Sequence, residues 1–184
     1  MRDKSLSRQI AESIREIIFG LEDSLVSTMG TLTGIAIGTH STFIIILSGL
    51  VLLATEGTSM AAGSYLSSKS AFETEQQIHL SDGVKSEHGI RPIRAAFVMG
   101  ISYFLGGLVP LAPYFFLSTN QAIFLSILLT TIVLFLVGVW SARFTKRSAL
   151  RSGFEMLIIS CTAALIGYAI ARSVSWYFGI NLDA

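Results

Sequence analysis

The chain has 184 residues, of which 52% are hydrophobic and 14% charged, with a mean hydropathy of +0.65. A soluble domain carries nearer a quarter charged residues, so this composition describes an integral membrane protein. The single cysteine excludes an internal disulfide and any cysteine-based metal cluster. A net charge of +1 gives no footprint for nucleic acid.

The N-terminal stretch, residues 1–20, mixes charges with Ile10, Ile14, Ile17 and Ile18 at helical spacing. It has no small-residue cleavage site and predicts a cytoplasmic amphipathic helix running into the first span. Five apolar segments follow, over about 21–39, 41–66, 95–117, 122–142 and 154–178, each close to the ~20 residues that a bilayer core requires. The expected fold is an all-α membrane bundle, with residues 21–184 forming a five-helix domain and residues 67–94 a short cytoplasmic loop. Twelve of the thirteen basic residues fall on one side if five spans alternate, and only Arg172 falls on the other. This asymmetry predicts the N-terminus inside and the C-terminus outside. The short loops and the absence of a targeting extension point to a prokaryotic plasma membrane.

Span one carries Glu22 and Asp23 near its start and Gly30, Gly34 and Gly38 beyond. The glycines form a small-xxx-small pattern that lets two helices approach closely, and we expect them at the interface of a homodimer. Span two is apolar except for Glu56, four residues before Met60, so the two share a helix face. At 1.5 Å per residue Met60 lies about 9 Å from the cytoplasmic edge and Asp23 about 6 Å, with Glu56 a turn deeper. A carboxylate, a thioether and a deeper carboxylate suit a dehydrating transition-metal cation, with sulfur favouring softer ions such as Fe²⁺. Met60 is also a plausible packing residue, and Asp23 and Glu155 would each favour the dipole of a helix N-terminus. Glu56 has no basic partner in the five spans, and an unpaired acid at such depth marks a functional site.

Span three contains Gly106, Gly107, Pro110 and Pro113, which imply either a kink or a cavity wall. The inner loop offers Glu73, Glu75, His79, Glu87 and His88 as a solvated face or as entrance ligands, and Glu155 opens span five on the same side. No nucleophile–base pair stands out, so an enzyme is not expected, and no permanent cofactor is implied.

The segments REIIFGLEDSLVSTMGTLTGIAIGT and EGTSMAAGSYLSSKSAFE together resemble the two signature helices of the vacuolar iron transporter family. GGLVPLAPYFF and RSGFEMLIISCTAALIGYAI are similar to its later spans, so the resemblance runs from Arg15 to Ile170. It implies a homodimer that moves Fe²⁺, and often Mn²⁺, out of the cytosol in exchange for protons, along a path between subunits lined by the first two spans. Asp23, Glu56 and Met60 match its metal positions. The sequence departs where members often have glycine at Ser24 and a carboxylate at Ser64, and it lacks the long insertion that forms a cytosolic metal-binding domain. It therefore resembles the short branch. A competing reading is a membrane assembly or regulatory module that kept the fold without transporting.

Overall fold

In the computed structural model, which describes residues 2–81, 92–145 and 147–178, the described chain is helical throughout. The helices are α1 (Arg2–Thr39), α2 (Thr42–Ser81), α3 (Pro92–Leu111), α4 (Thr119–Thr145) and α5 (Ala149–Tyr177). The amphipathic stretch and span one are a single uninterrupted helix of 38 residues. Four helices among the described residues are long and apolar enough to cross a membrane: Thr42–Gln77, Pro92–Phe115, Thr119–Phe144 and Ala149–Tyr177. The protein is thus an all-helical, multi-pass membrane protein.

α1 falls outside that set because its sequence is too polar, and its position explains why it is tolerated. It packs against α3 and α5 most extensively and touches α2 and α4 as well. Leu25, Met29, Leu32 and Ala36 are fully buried, and so are Ser24 and Thr28. A helix surrounded by protein need not be apolar on every side, unlike one bathed in hydrocarbon. The outer helices show the reverse pattern, with Leu128, Leu136, Ile158 and Leu165 all exposed. Two apolar clusters result. One joins Leu32, Ile45, Leu53, Tyr103, Leu111 and Tyr114, and the other joins Leu25, Leu134 and Val137.

Gly30 and Gly34 of α1 face another helix of the same chain. A Cβ built on Gly34 would lie 3.1 Å from the Gly167 carbonyl oxygen, and one on Gly30 would lie 3.2 Å from that of Ala163. The small-residue stripe is therefore the seam between α1 and α5 of one chain, which corrects the expectation of a subunit interface there. Gly38 has nothing within 4 Å and takes no part in the seam. The physical reason is that α5 brings its own small residues, Ala163 and Gly167, at matching four-residue spacing.

In α3 the glycines also serve close packing. A side chain at Gly106 would run into Ser24 and the Leu21 carbonyl of α1, and one at Gly107 would strike Leu53 of α2. Gly106, Gly107 and Pro110 are buried, so this stretch is a packing surface, not the wall of a cavity. Past Pro110 the helix tightens into a 3-10 turn over Ala112–Phe115, and Ser126 of α4 donates to the Pro110 carbonyl at 2.7 Å. α1 turns into α2 through His40, whose φ of 51° is left-handed and whose N–H bonds the Ala36 carbonyl at 3.0 Å. α4 and α5 form a tight hairpin at Gly138 and Gly153.

Candidate functional site

Polar side chains inside a membrane bundle are expensive unless paired, so the pairs locate the site. The most prominent lies where α1, α2 and α3 meet. Glu56 of α2 accepts a hydrogen bond at Oε2 from the hydroxyl of Tyr103, on α3. Ser27 of α1 stands 2.9 Å from the Tyr103 oxygen and 3.4 Å from the same carboxylate oxygen. A phenol has one hydrogen to give. With that hydrogen on Glu56, Ser27 donates to Tyr103, and the three groups form a chain from α1 through α3 to α2.

Tyr103 is fully buried, whereas Glu56 and Ser27 are only half-buried. The carboxylate is thus anchored through one oxygen and partly open at the other, since Oε1 takes none of these bonds. An anchored acceptor with one free oxygen has the donor geometry to meet a cation without first losing its orientation. Asp23 is half-buried one turn before Ser27, on the same face of α1, which lines up Asp23, Ser27 and the deeper Glu56. Met60 is half-buried and packs against the cluster that contains Tyr103.

Sequence reasoning missed Ser27 and Tyr103. Tyrosines of membrane helices favour the interfacial belts. One placed inside span three, in GISYFLGG, signalled a buried hydroxyl in search of a partner. Removing the phenol oxygen alone tests its role. If Glu56 takes a divalent cation, Tyr103→Phe is expected to weaken its binding about tenfold, the usual cost of losing a group that orients a ligand. Thermal stability should change little. Isothermal titration with Mn²⁺ on the purified protein checks it.

A second acid was also missed. Glu16 is 4% exposed and lies seven residues before Asp23. It accepts from Ser64 of α2 at 3.0 Å and pairs with Arg15 at 2.9 Å. The serine at position 64 therefore supplies a hydroxyl donor where a carboxylate would put two acids face to face.

The remaining candidates among the described residues, Glu73, Glu75 and Glu155, are not gathered with Glu56. Glu73 is exposed and pairs loosely with Lys69 at 3.9 Å, and Glu75 is half-buried on the same extension of α2. The His79 side chain, Glu87 and His88 lie outside the described residues. Glu155 is engaged by Arg151 at 3.3 Å and by Arg147 at 4.0 Å. Among the described residues of one chain, no three His, Cys, Asp or Glu side chains come together in a cluster able to hold a metal.

Comparison with known proteins adds a separate line of evidence. The model of the VIT family matches residues 14–81 and 72–172, two pieces that meet near the end of α2. The chain is 25% identical to vacuolar iron transporter 1 of Eucalyptus grandis over 216 residues, covering 89% of this chain and 87% of that one. It is 26% identical to vacuolar iron transporter homolog 2 of Arabidopsis thaliana over 167 residues, covering 89% and 85%. It is also 26% identical to an uncharacterized protein of Methanocaldococcus jannaschii over 171 residues, covering 86% and 88%. The first alignment is longer than this whole chain, so the Eucalyptus protein holds residues with no counterpart here.

Proposed function

The chain belongs to the VIT family, and from that premise we propose that it exports a divalent transition metal, Fe²⁺ and also Mn²⁺, from the cytosol in exchange for protons. The observation that carries the proposal is Glu56, a half-buried carboxylate held at one oxygen by Tyr103 and open at the other. In this reading Asp23 receives the ion nearer the cytosol, and Glu56 and Met60 take it deeper. The thioether adds a preference for soft ions over Mg²⁺ and Ca²⁺. Glu56 binds metal and proton in alternation, because the same carboxylate oxygen cannot hold both at once.

A homodimer supports this reading. Two or three donors from one subunit leave a divalent ion short of ligands, and a second copy would bring the same set across a two-fold axis. We place α1 as the fifth span with the N-terminus inside, in line with the distribution of basic residues. The domain division at residues 20/21 follows the change from charged to apolar sequence within α1. The two-piece family match and the longer Eucalyptus alignment favour a short branch without a separate metal-capturing insertion, so Glu73, Glu75, His79 and Glu155 act at most as entrance ligands. The short loops and the Methanocaldococcus jannaschii relative favour a prokaryotic plasma membrane.

Inside-out vesicles provide the test. Fe²⁺ and Mn²⁺ are expected to accumulate when the lumen is acid, with slower Zn²⁺ uptake and no Mg²⁺ uptake. Equal uptake with and without the protein, across all four ions, would return the chain to the competing reading of a non-transporting module.

A further inference from the structure

The turn between α4 and α5 holds a feature distant in sequence from Glu56 and its partners. A cavity of about 380 Å³ is lined there by Arg147, Ser148, Arg151, Ser152 and Glu155. α4 and α5 are both long enough to cross the bilayer, so their connection lies at a membrane–water boundary. Nearby, Leu150, Phe154 and Phe144 are exposed apolar side chains, fit for acyl chains and not for water.

Three sets of donors lie at or beside this cavity. Arg147 and Arg151 are 70% and 82% exposed, and each uses a single nitrogen on the shared carboxylate of Glu155. Two cations against one anion leave a surplus positive charge and most guanidinium hydrogens unspent. The second set is the first turn of α5. Ser148 occupies the cap position without a side-chain cap bond, and the first backbone bond of the helix runs from Ser152 to Ser148. The N–H groups of Ala149, Leu150 and Arg151 thus have no partner within the helix. The third is Ser152 itself, which is 5% exposed and lines the cavity. A hydroxyl that lines the cavity beside two arginines and a helix N-terminus suits an oxyanion.

We propose that this cavity binds the phosphate of an anionic phospholipid headgroup, with its acyl chains lying along Leu150 and Phe154. Arg147 and Arg151 fork onto the phosphate oxygens, while Ser152 and the α5 amides approach from beneath. Glu155 holds the two arginines in place when the lipid is absent and competes with it when present. Basic pockets between membrane helices take such headgroups in general. The apolar rim favours a lipid over free phosphate.

The test uses the whole protein in neutral detergent. It is titrated with dioleoyl phosphatidylglycerol or dioleoyl phosphatidylcholine, and retained lipid is counted by native mass spectrometry. A third arm titrates sodium phosphate and follows thermal stability. Phosphatidylglycerol is expected to be retained in preference to phosphatidylcholine. Retention should fall about fivefold for each arginine changed to alanine. Ser152→Ala should also lower it. Glu155→Gln should raise it, because both guanidinium groups then turn to the lipid, a gain that damaged folding does not produce. Retention unchanged in Ser152→Ala and Glu155→Gln overturns the proposal, even if the arginine variants fail to fold. Stabilisation by sodium phosphate with no preference for phosphatidylglycerol also overturns it, and leaves a site for a free anion.

Discussion

Replacing Glu56 by glutamine is expected to lower metal export by about a hundredfold or more, since even outer-shell changes at metal sites cost up to that much. The substitution keeps the shape of the side chain and an amide oxygen able to accept from Tyr103, so the chain of hydrogen bonds from Ser27 survives. What disappears is the negative charge. A neutral amide in a membrane interior is less costly than a carboxylate, so the fold should stay intact and melt no lower. If Glu56 also carries the returning proton, the residual flux in the variant will not respond to an imposed pH gradient. Two companions separate the roles of the other donors. Asp23→Asn should raise the metal concentration needed for half-maximal uptake while leaving the response to pH. Met60→Leu, which roughly conserves volume, should shift preference away from soft ions and leave the protein folded. Uptake of Fe²⁺ and Mn²⁺ into vesicles at several lumenal pH values reads all three. Wild-type transport by Glu56→Gln, with unchanged pH dependence, would remove the acid from the transport path.

Gly167→Leu is expected to destabilise the individual subunit. A Cβ at Gly167 would sit 2.3 Å from the Gly30 carbonyl oxygen, a separation that no relaxed side chain tolerates. The obstacle is backbone, so α5 has to move away from α1 along the whole seam. Overpacking of this kind costs about 1–3 kcal/mol, and more where a helix cannot shift. Thermal unfolding in detergent should show the loss at all protein concentrations. A variant that only separated two copies would instead melt normally when dilute. Gly38→Ala is the control and should change little, because nothing lies within 4 Å of that position. Normal melting of Gly167→Leu would mean that α1 and α5 do not meet as described.

The glycine stripe shows how far the sequence could be read and where it stopped. Gly30 and Gly34 announce a close approach, which the structure contains, but the pattern does not identify the approaching helix. Ala163 and Gly167 repeat the same four-residue spacing in α5, and pairing the two stripes would have found the seam. Four apolar helices followed from hydropathy, because lipid imposes the same demand on every exposed turn, whereas α2 continues to Ser81 where a loop was expected from residue 67. α1 obeyed that demand least, for it answers to protein neighbours. Glu56 was legible because an unpaired acid in an apolar run has few explanations. Its partners were not. Ser27 and Tyr103 are ordinary membrane-helix residues until three helices bring them within reach, at sequence separations of 29, 47 and 76. Glu16 was hidden for the opposite reason, as one charge among many in a polar arm, though it is 4% exposed in the fold.

The polarity of α1 also bears on how the protein is made. Glu22 and Asp23 are adjacent, half-buried acids in a helix that packs against all four others. A charged residue such as Asp costs about 2.5–3.5 kcal/mol at the centre of a helix inserting alone. α1 precedes its partners in chain order, so while it is the newest helix at the insertion machinery it has nothing to shield these acids. It gains its surroundings only when α3 and α5 arrive and Gly106 and Gly167 admit it. If α1 is the fifth span, it waits until then at the bilayer surface or in the care of the translocon, and the segment nearest the start of the bundle is among the last to settle.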